Sequence, residues 1–404
     1  MKKKILILLS LFFLIPYITK GQANRFNRPF TTTYTPLTPS EILAPGMIMR
    51  QRHDAMFQNI NDMIKYINGL KAQTNETIFI TAMNTNLTKL KNISRVLEER
   101  GVNAVNVNSL SQIYNDVQNE INNYNVRIER QNHNQNQLTN YIGAANEAMN
   151  NHRYSVAIEY LTKAINLVPN NPDNKDYYKT RGLCYLYGVN NPESAKYDLI
   201  RYSQQCEPYS VSQAEAFFLI GHTYTKTNQL QTAVDYYSKC INIDNSYLDA
   251  YFSRGLAKSG LNDRLGAIAD YDYIISYTGA AKQRFKDMAT VYNNKSYCLV
   301  ELGEYDKALP VVEKALEMDN TIAYIWDTRG EIFYHKKSYS KSISDMNKAI
   351  ELSIQGNYIP ANSYFYRGLA KIQLSQRTDG CVDLSKASEL GYHNADESIA
   401  KYCK

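Results

Sequence analysis

One nine-residue pattern is written three times along this chain of 404 residues. Ala157 to Ile165, Ala233 to Ile241 and Ala308 to Leu316 each begin with a small residue. A large apolar or aromatic residue follows four later, and a second small one three after that. Upstream lies another helical stretch with a small residue at a fixed point, often directly after Arg. These points are Ala145, Gly182, Gly221, Gly255, Ser296, Gly330 and Gly368, spaced 37, 39, 34, 41, 34 and 38 residues apart. A helix pair of this size cannot bury its apolar face alone, so copies must stack on one another. With only 18 Gly and 11 Pro, a collagen-like or many-turned all-β chain is excluded.

Paired helices at a period near 34 resemble the tetratricopeptide repeat (TPR) family. The resemblance covers residues 137–391 in seven units and implies an all-α superhelical solenoid. Its early helix-A aromatics are Tyr141, Phe217, Tyr251, Tyr292, Trp326 and Tyr364, and its helix-B alanines include Ala157, Ala164, Ala308, Ala315 and Ala349. Two departures stand out. There is an extra residue near Asn191–Pro192, and a longer joint from Tyr277 to Asp287. Either would bend the array or carry a local contact.

Arg and Asp come and go together within the units. Arg181, Arg254, Arg329 and Arg367 precede the glycine, and the same units place Asp198, Asp270, Asp345 and Asp383 in helix B, 17, 16, 16 and 16 residues later. The other three carry Ala144, Ile220 and Lys295, opposite Tyr160, Tyr236 and Val311. The pattern predicts a structural ion pair between helices A and B of one unit, with the bidentate geometry Arg favours. A row of arginines for an anionic ligand is the alternative, but an arginine already holding an aspartate is poorly available.

The repeats are preceded by different material. Lys2, Lys3 and Lys4 lead an apolar run from Ile5 to Ile18, with small residues around a cut near Gly21–Gln22. This is the layout of a secretory signal peptide at 1–21, and the run is short for a membrane span. The expected mature protein is therefore exported to the periplasm, the outer envelope surface or the medium, with no transmembrane segment. No Cys precedes Cys184, so no lipid-attachment cysteine stands at the cut. Losing the leader's four lysines takes the formal charge from +6 to +2, too little to argue for nucleic acid or anionic lipid. Residues 22–46 are rich in Pro and Thr and read as an extended arm. Residues 47–136 carry three apolar stripes at helical spacing: Met56 to Leu70, Met83 to Leu97, and Leu110 to Ile128. They predict a small helical bundle or a coiled coil, which would offer a dimerisation surface. The polar run Gln131 to Gln137 is read as a joint.

No chemistry-bearing constellation is visible. The six histidines (His53, His133, His152, His222, His335 and His393) show no zinc spacing, and no nucleophile elbow, dinucleotide turn or Walker loop occurs. The expectation is a non-enzyme without catalytic residues, cofactor or metal. Of the six cysteines, Cys184, Cys240 and Cys298 fall at core positions of the repeat. Cys381 opens the last helix B, while Cys403 ends a one-sided segment at 392–404 that would cap the solenoid. A Cys381–Cys403 disulfide would tie that cap down, and free thiols are the alternative.

The TPR resemblance implies a concave surface lined by A helices. Its groove positions here are Phe218 and His222, Phe252 and Leu256, Asn293 and Tyr297, Asp327 and Glu331, and Phe365 and Leu369. These are the candidate partner-binding residues, with acids concentrated at the sixth unit. The family's basic clamp for C-terminal carboxylates is not reproduced. Such a groove suits a peptide or helix of a partner protein, which implies a scaffold or adaptor. The alternative is a glycan-binding module of the envelope using exposed Tyr and Asn. Of 34 tyrosines, 29 lie after residue 137, many at repeat-defining positions, so packing explains most of that bias.

Overall fold

The computed structural model describes residues 45–72, 74–101, 107–169, 171, 174–354 and 359–403. All regular structure among them is helical. The signal segment and nearly all of the arm lie outside the described residues. The chain divides into two compact units, residues 1–136 and 137–404.

In the first unit, α1 (Pro45–Lys71), α2 (Thr77–Arg100) and the leading part of α3 (Val107–Asn150) share one core. Ile60, Ile67 and Leu70 from α1 meet Phe79, Met83, Leu90 and Leu97 from α2 and Ile113, Val117 and Ile121 from α3. Three one-sided helices thus bury their stripes against each other within one chain, which is the bundle arrangement. Phe79 extends the α2 stripe by a turn, and its ring lies 4.6 Å from that of Tyr124. Arg127 clamps Glu76 at 2.7 Å and Glu120 at 3.1 Å. Gly101, at φ 77, ends α2 by donating to Leu97 O. One boundary expectation is corrected. Residues 45 and 46 belong to α1, where Pro45 stands at the start of a helix, a position proline tolerates. The polar run 131–137 does hold the boundary between the two units, but it is helical, because Asn, Gln and His do not break a helix and α3 runs through it.

The second unit is a series of antiparallel helix pairs. Residues 137–150 of α3 pair with α4 (Tyr154–Leu167). Then come α5 (Asn174–Leu183) with α6 (Pro192–Gln205), α7 (Val211–Lys226) with α8 (Leu230–Ile243), and α9 (Leu248–Gly260) with α10 (Arg264–Ser276). After the short α11 (Ala281–Arg284) follow α12 (Met288–Glu301) with α13 (Tyr305–Met318), α14 (Ala323–His335) with α15 (Tyr339–Ser353), and α16 (Ala361–Gln373) with α17 (Arg377–Glu389). The helix α18 (Ala395–Tyr402) packs on α17 and closes the series. The fold is all-α and TPR-like.

Each pair crosses where the sequence is smallest. A Cβ at Gly368 would stand 2.8 Å from Gly380 O, so these two helices touch through backbone. In the fifth repeat Ser296 takes the place of glycine, and its hydroxyl donates to Ala308 O at 2.9 Å. The turn from A to B is also repeated. His152, Asn190, Asn228, Asn262, Gly303, Lys337 and Ser375 each hold positive φ there. In six of these turns the following amide donates to a carbonyl five residues back, as Gln229 does to Tyr224 O. This satisfies the end of helix A and reverses the chain.

The extra residue of the second repeat does not lengthen the turn at Asn191–Pro192. It is absorbed inside helix A, as a π turn over Cys184–Gly188. Consequently Asn191 N reaches Tyr185 O, six residues back instead of five, at 2.7 Å. Asn191 then caps α6 by accepting from Ser194 N at 3.1 Å. The longer joint carries α11 and buries Phe285 in the core of repeats three to five.

Candidate binding groove

Successive A helices touch each other, α7 to α9, α9 to α12, α12 to α14 and α14 to α16, so equivalent positions on them line one side of the array. At repeats two to five this side is aromatic and partly open. Phe218 is half-buried, with its ring 4.7 Å from His222 and 4.9 Å from Tyr247. Burial, then the charge of Lys226, pushes His222 down to about 4, so its imidazole is neutral at pH 7. Phe252, also half-buried, has its ring 6.1 Å from Phe285. Leu256 and Tyr297 are 44% and 41% exposed.

At repeats six and seven the same register is closed. Asp327, Glu331, Phe365 and Leu369 are buried there, as is Asn293 in repeat five, and none of the five offers a partner-facing surface. This corrects the expected extent of the groove. The acids are taken up by α16: Asp327 accepts from Ser363 Oγ and from Asn362 Nδ2, the latter at 2.8 Å. Glu331 accepts from Asn362 at 3.2 Å and from Tyr366 at 2.9 Å. Phe365 stacks on Tyr392, ring centroids 4.4 Å apart. Asn293 has no such partners for its Oδ1, which is buried without a hydrogen bond. The residues in register with Ser363 and Asn362 are Ile325 and Tyr324, and isoleucine has nothing to donate.

Tyr187 is a groove residue the repeat register misses. The π turn shifts it by one position and sets its ring 6.3 Å from His222, with 45% of its surface exposed. The inserted residue was the only signal for it. Tyr247 and Phe285 escape the register because both lie outside the A helices.

The arginines stand apart from this face and are fully engaged. Arg181 donates from Nε and Nη2 to the two oxygens of Asp198, both at 2.7 Å. Arg254 does so to Asp270, Arg329 to Asp345 and Arg367 to Asp383, all between 2.6 and 3.0 Å. Each guanidinium also lies over the aromatic three residues earlier: Tyr178, Tyr251, Trp326 and Tyr364. Three of them use Nη1 to reach helix B of the preceding repeat: Arg181 to Thr162, Arg254 to Ser238 and Arg367 to Asn347. Lys295 makes the equivalent reach to Asp272 at 2.5 Å. Where Ile220 replaces the base, that third position is Ile200, so the exchange is apolar for polar at all three corners.

Cys381 and Cys403 are disulfide-bonded, joining α17 to the end of α18, while Cys184, Cys206, Cys240 and Cys298 are buried thiols. Burial raises Cys184 and Cys240 to about 12, which leaves them unreactive at pH 7. Among the described residues no cluster of three or more His, Cys, Asp or Glu is placed to hold a metal ion. Nor is any described helix long and apolar enough to cross a membrane.

The tetratricopeptide repeat model matches residues 214–247 and 289–322. The chain is 31% identical over 119 residues to the TPR repeat-containing thioredoxin TDX of Arabidopsis thaliana, a stretch covering 30% of each protein. It is 26% identical over 186 residues to the mitochondrial import receptor subunit TOM70 of Rattus norvegicus, covering 45% of this chain and 29% of that one. The chain thus spans less than a third of these curated relatives. A solved tetratricopeptide repeat protein from Parabacteroides merdae aligns at a TM-score of 0.50 and 15% identity, over 67% of this chain and 100% of that one. Sequence and fold agree that this chain carries tetratricopeptide repeats on an all-α solenoid.

Proposed function

We propose that the second unit is a docking scaffold, taking a peptide or helix of a partner protein along the A helices of repeats two to five. The observation that carries this reading is the partly exposed apolar row Tyr187, Leu256 and Tyr297, set over the half-buried rings of Phe218, His222 and Phe252. These rings are already held by neighbours, so a ligand would meet a preformed surface and little ordering cost. The neutral His222 adds no charge to desolvate. An extended or helical apolar segment suits such a surface. The arginines are held by aspartates, which argues against an anionic ligand there.

The same reading places the protein outside the cytoplasm. The leader-like segment at 1–21 supports this, and the Cys381–Cys403 bridge suits an oxidising compartment.

Photo-crosslinking tests the docking reading. A photoreactive residue at 256 or 297 is expected to give a discrete protein adduct, weakened by Leu256→Asp. The same probe at Tyr209, 85% exposed and off the A helices, should not. Equal adducts at all three positions would overturn the groove. So would binding to purified polysaccharide that is lost on Tyr297→Ala with helicity intact.

A further inference from the structure

His222 and His335 are the half-buried histidines of the second unit, and their neighbours serve them differently. His335 has a ring on its face and a hydroxyl at its edge. Tyr305 lies parallel to it, centroids 4.5 Å apart and planes 10° apart, and the Tyr366 hydroxyl is 3.4 Å from Nε2. His222 has neither. Its ring neighbours Phe218, Tyr237 and Tyr187 stand at 63, 86 and 64° to it, with centroids 4.7, 6.0 and 6.3 Å away, so none stacks parallel. Among the described residues no hydrogen bond reaches either nitrogen, and neither nitrogen is sealed from solvent. This is the imidazole that the π turn sets beside the exposed Tyr187, in the docking groove.

We propose that this end of the groove anchors a tyrosine of the partner protein, its ring stacking on His222 beside Tyr187 and its hydroxyl bonding an imidazole nitrogen. The inference rests on the docking reading and names the side chain that reading leaves open. His335 supplies the pattern, since a parallel phenol ring and a phenol hydroxyl are what satisfy an imidazole in this solenoid. A phenol brings a stacking face and a hydroxyl that donates or accepts, so it suits a neutral imidazole in either tautomer. An indole can only donate, and serves one tautomer. Phenylalanine would cover the imidazole and displace the water its nitrogens meet in the free chain, leaving a polar group unpaired. Leucine offers no ring. A lysine or arginine would meet the charge of Lys226, which lies near enough to help hold His222 neutral. Tyr247, 4.9 Å from Phe218, backs that ring, so the anchor site is already set before a partner arrives.

N-acetyl-tyrosinamide, N-acetyl-phenylalaninamide and N-acetyl-leucinamide, added to the full chain, test the anchor, with the imidazole C–H resonances of His222 and His335 as the readout. Tyrosinamide should move the His222 signals saturably, at the millimolar affinity that a fragment of this size reaches. Phenylalaninamide should bind roughly tenfold more weakly, the effect of one hydrogen bond left unmade, and leucinamide more weakly still. His335, already served by Tyr305 and Tyr366, should not move. In His222→Phe the preference for tyrosine over phenylalanine should fall to about one, read from broadening of the probe signals. Equal binding of the three probes overturns the anchor, as does the lack of a saturable shift up to about 20 mM tyrosinamide. So does a tyrosine preference that survives His222→Phe. The comparison of probes on the wild-type chain decides even if that variant fails to fold. Photo-crosslinked adducts at 256 and 297 without a tyrosine preference would strike the anchor and leave the groove. A tyrosine preference without those adducts would keep the anchor and strike the groove.

Discussion

Arg254 grips Asp270 with two parallel hydrogen bonds, 3.0 and 2.6 Å long, across the helix pair of the fourth repeat. Its third arm holds Ser238 of the repeat before, and Lys258 meets the same carboxylate at 3.0 Å. One side chain thereby sets the register within a repeat and between repeats. Asp270 is almost fully buried, so its removal leaves two cations facing an empty site. Asp270→Ala is expected to destabilise by about 2–4 kcal/mol in urea unfolding, discounted because Arg254 and Lys258 keep some water. The pair Arg254→Ile with Asp270→Tyr copies the third repeat's Ile220 and Tyr236. It should recover at least half of that loss, and failure to do so would count against interchangeable corners.

The helix crossings separate two kinds of glycine. A methyl at Gly368 would press on the Gly380 carbonyl and the Leu384 amide, which are backbone and cannot step aside. At Gly330 it would meet the tip of Met346, a flexible side chain. Gly368→Ala should cost about 2–3 kcal/mol and Gly330→Ala about 1 or less, by thermal or urea unfolding.

Lys337 and Ser375 hold φ values of 59 and 64, in the left-handed region that suits glycine. Lys337→Gly and Ser375→Gly should each stabilise by about 0.5–1 kcal/mol, while Gly303→Ala, at φ 75, should destabilise by a similar amount. Melting temperatures moving the other way would show that the side chains contribute more than the turn geometry.

The Cys381–Cys403 bridge closes a loop with a sequence separation of 22 residues. In the chain-entropy account such a loop contributes roughly 3 kcal/mol. Cys403→Ser should lose most of that and raise exchange in α18 and α17 before any other pair. Reduction of the wild-type protein should do the same, whereas Cys240→Ser should leave α18 unaffected.

His222 titrates against acid. Its folded value is about 4 and its ordinary value 6.5, so between them the unfolded chain binds the extra proton. Stability is therefore lost as pH falls from 6.5 to 4, by up to roughly 3 kcal/mol. His222→Phe should flatten that limb of a stability–pH curve measured by urea unfolding. An unchanged limb would place the acid sensitivity elsewhere.

The sequence by itself determined the repeat. The apolar periodicity of each helix is local, and the small residue that allows close crossing recurs at a spacing the eye can count. It also named both ends of each Arg–Asp pair, because the two residues sit about 16 apart within one unit and change together. What lies between units was decided only in the tertiary structure. Asp327 reads as a groove acid until Ser363, 36 residues on, donates to it. The third corner at Thr162, Ser238 and Asn347 and the π turn that swings Tyr187 beside His222 belong to the same class. Each depends on the packing partner a neighbouring element supplies, and local spacing carries no record of that partner's chemistry.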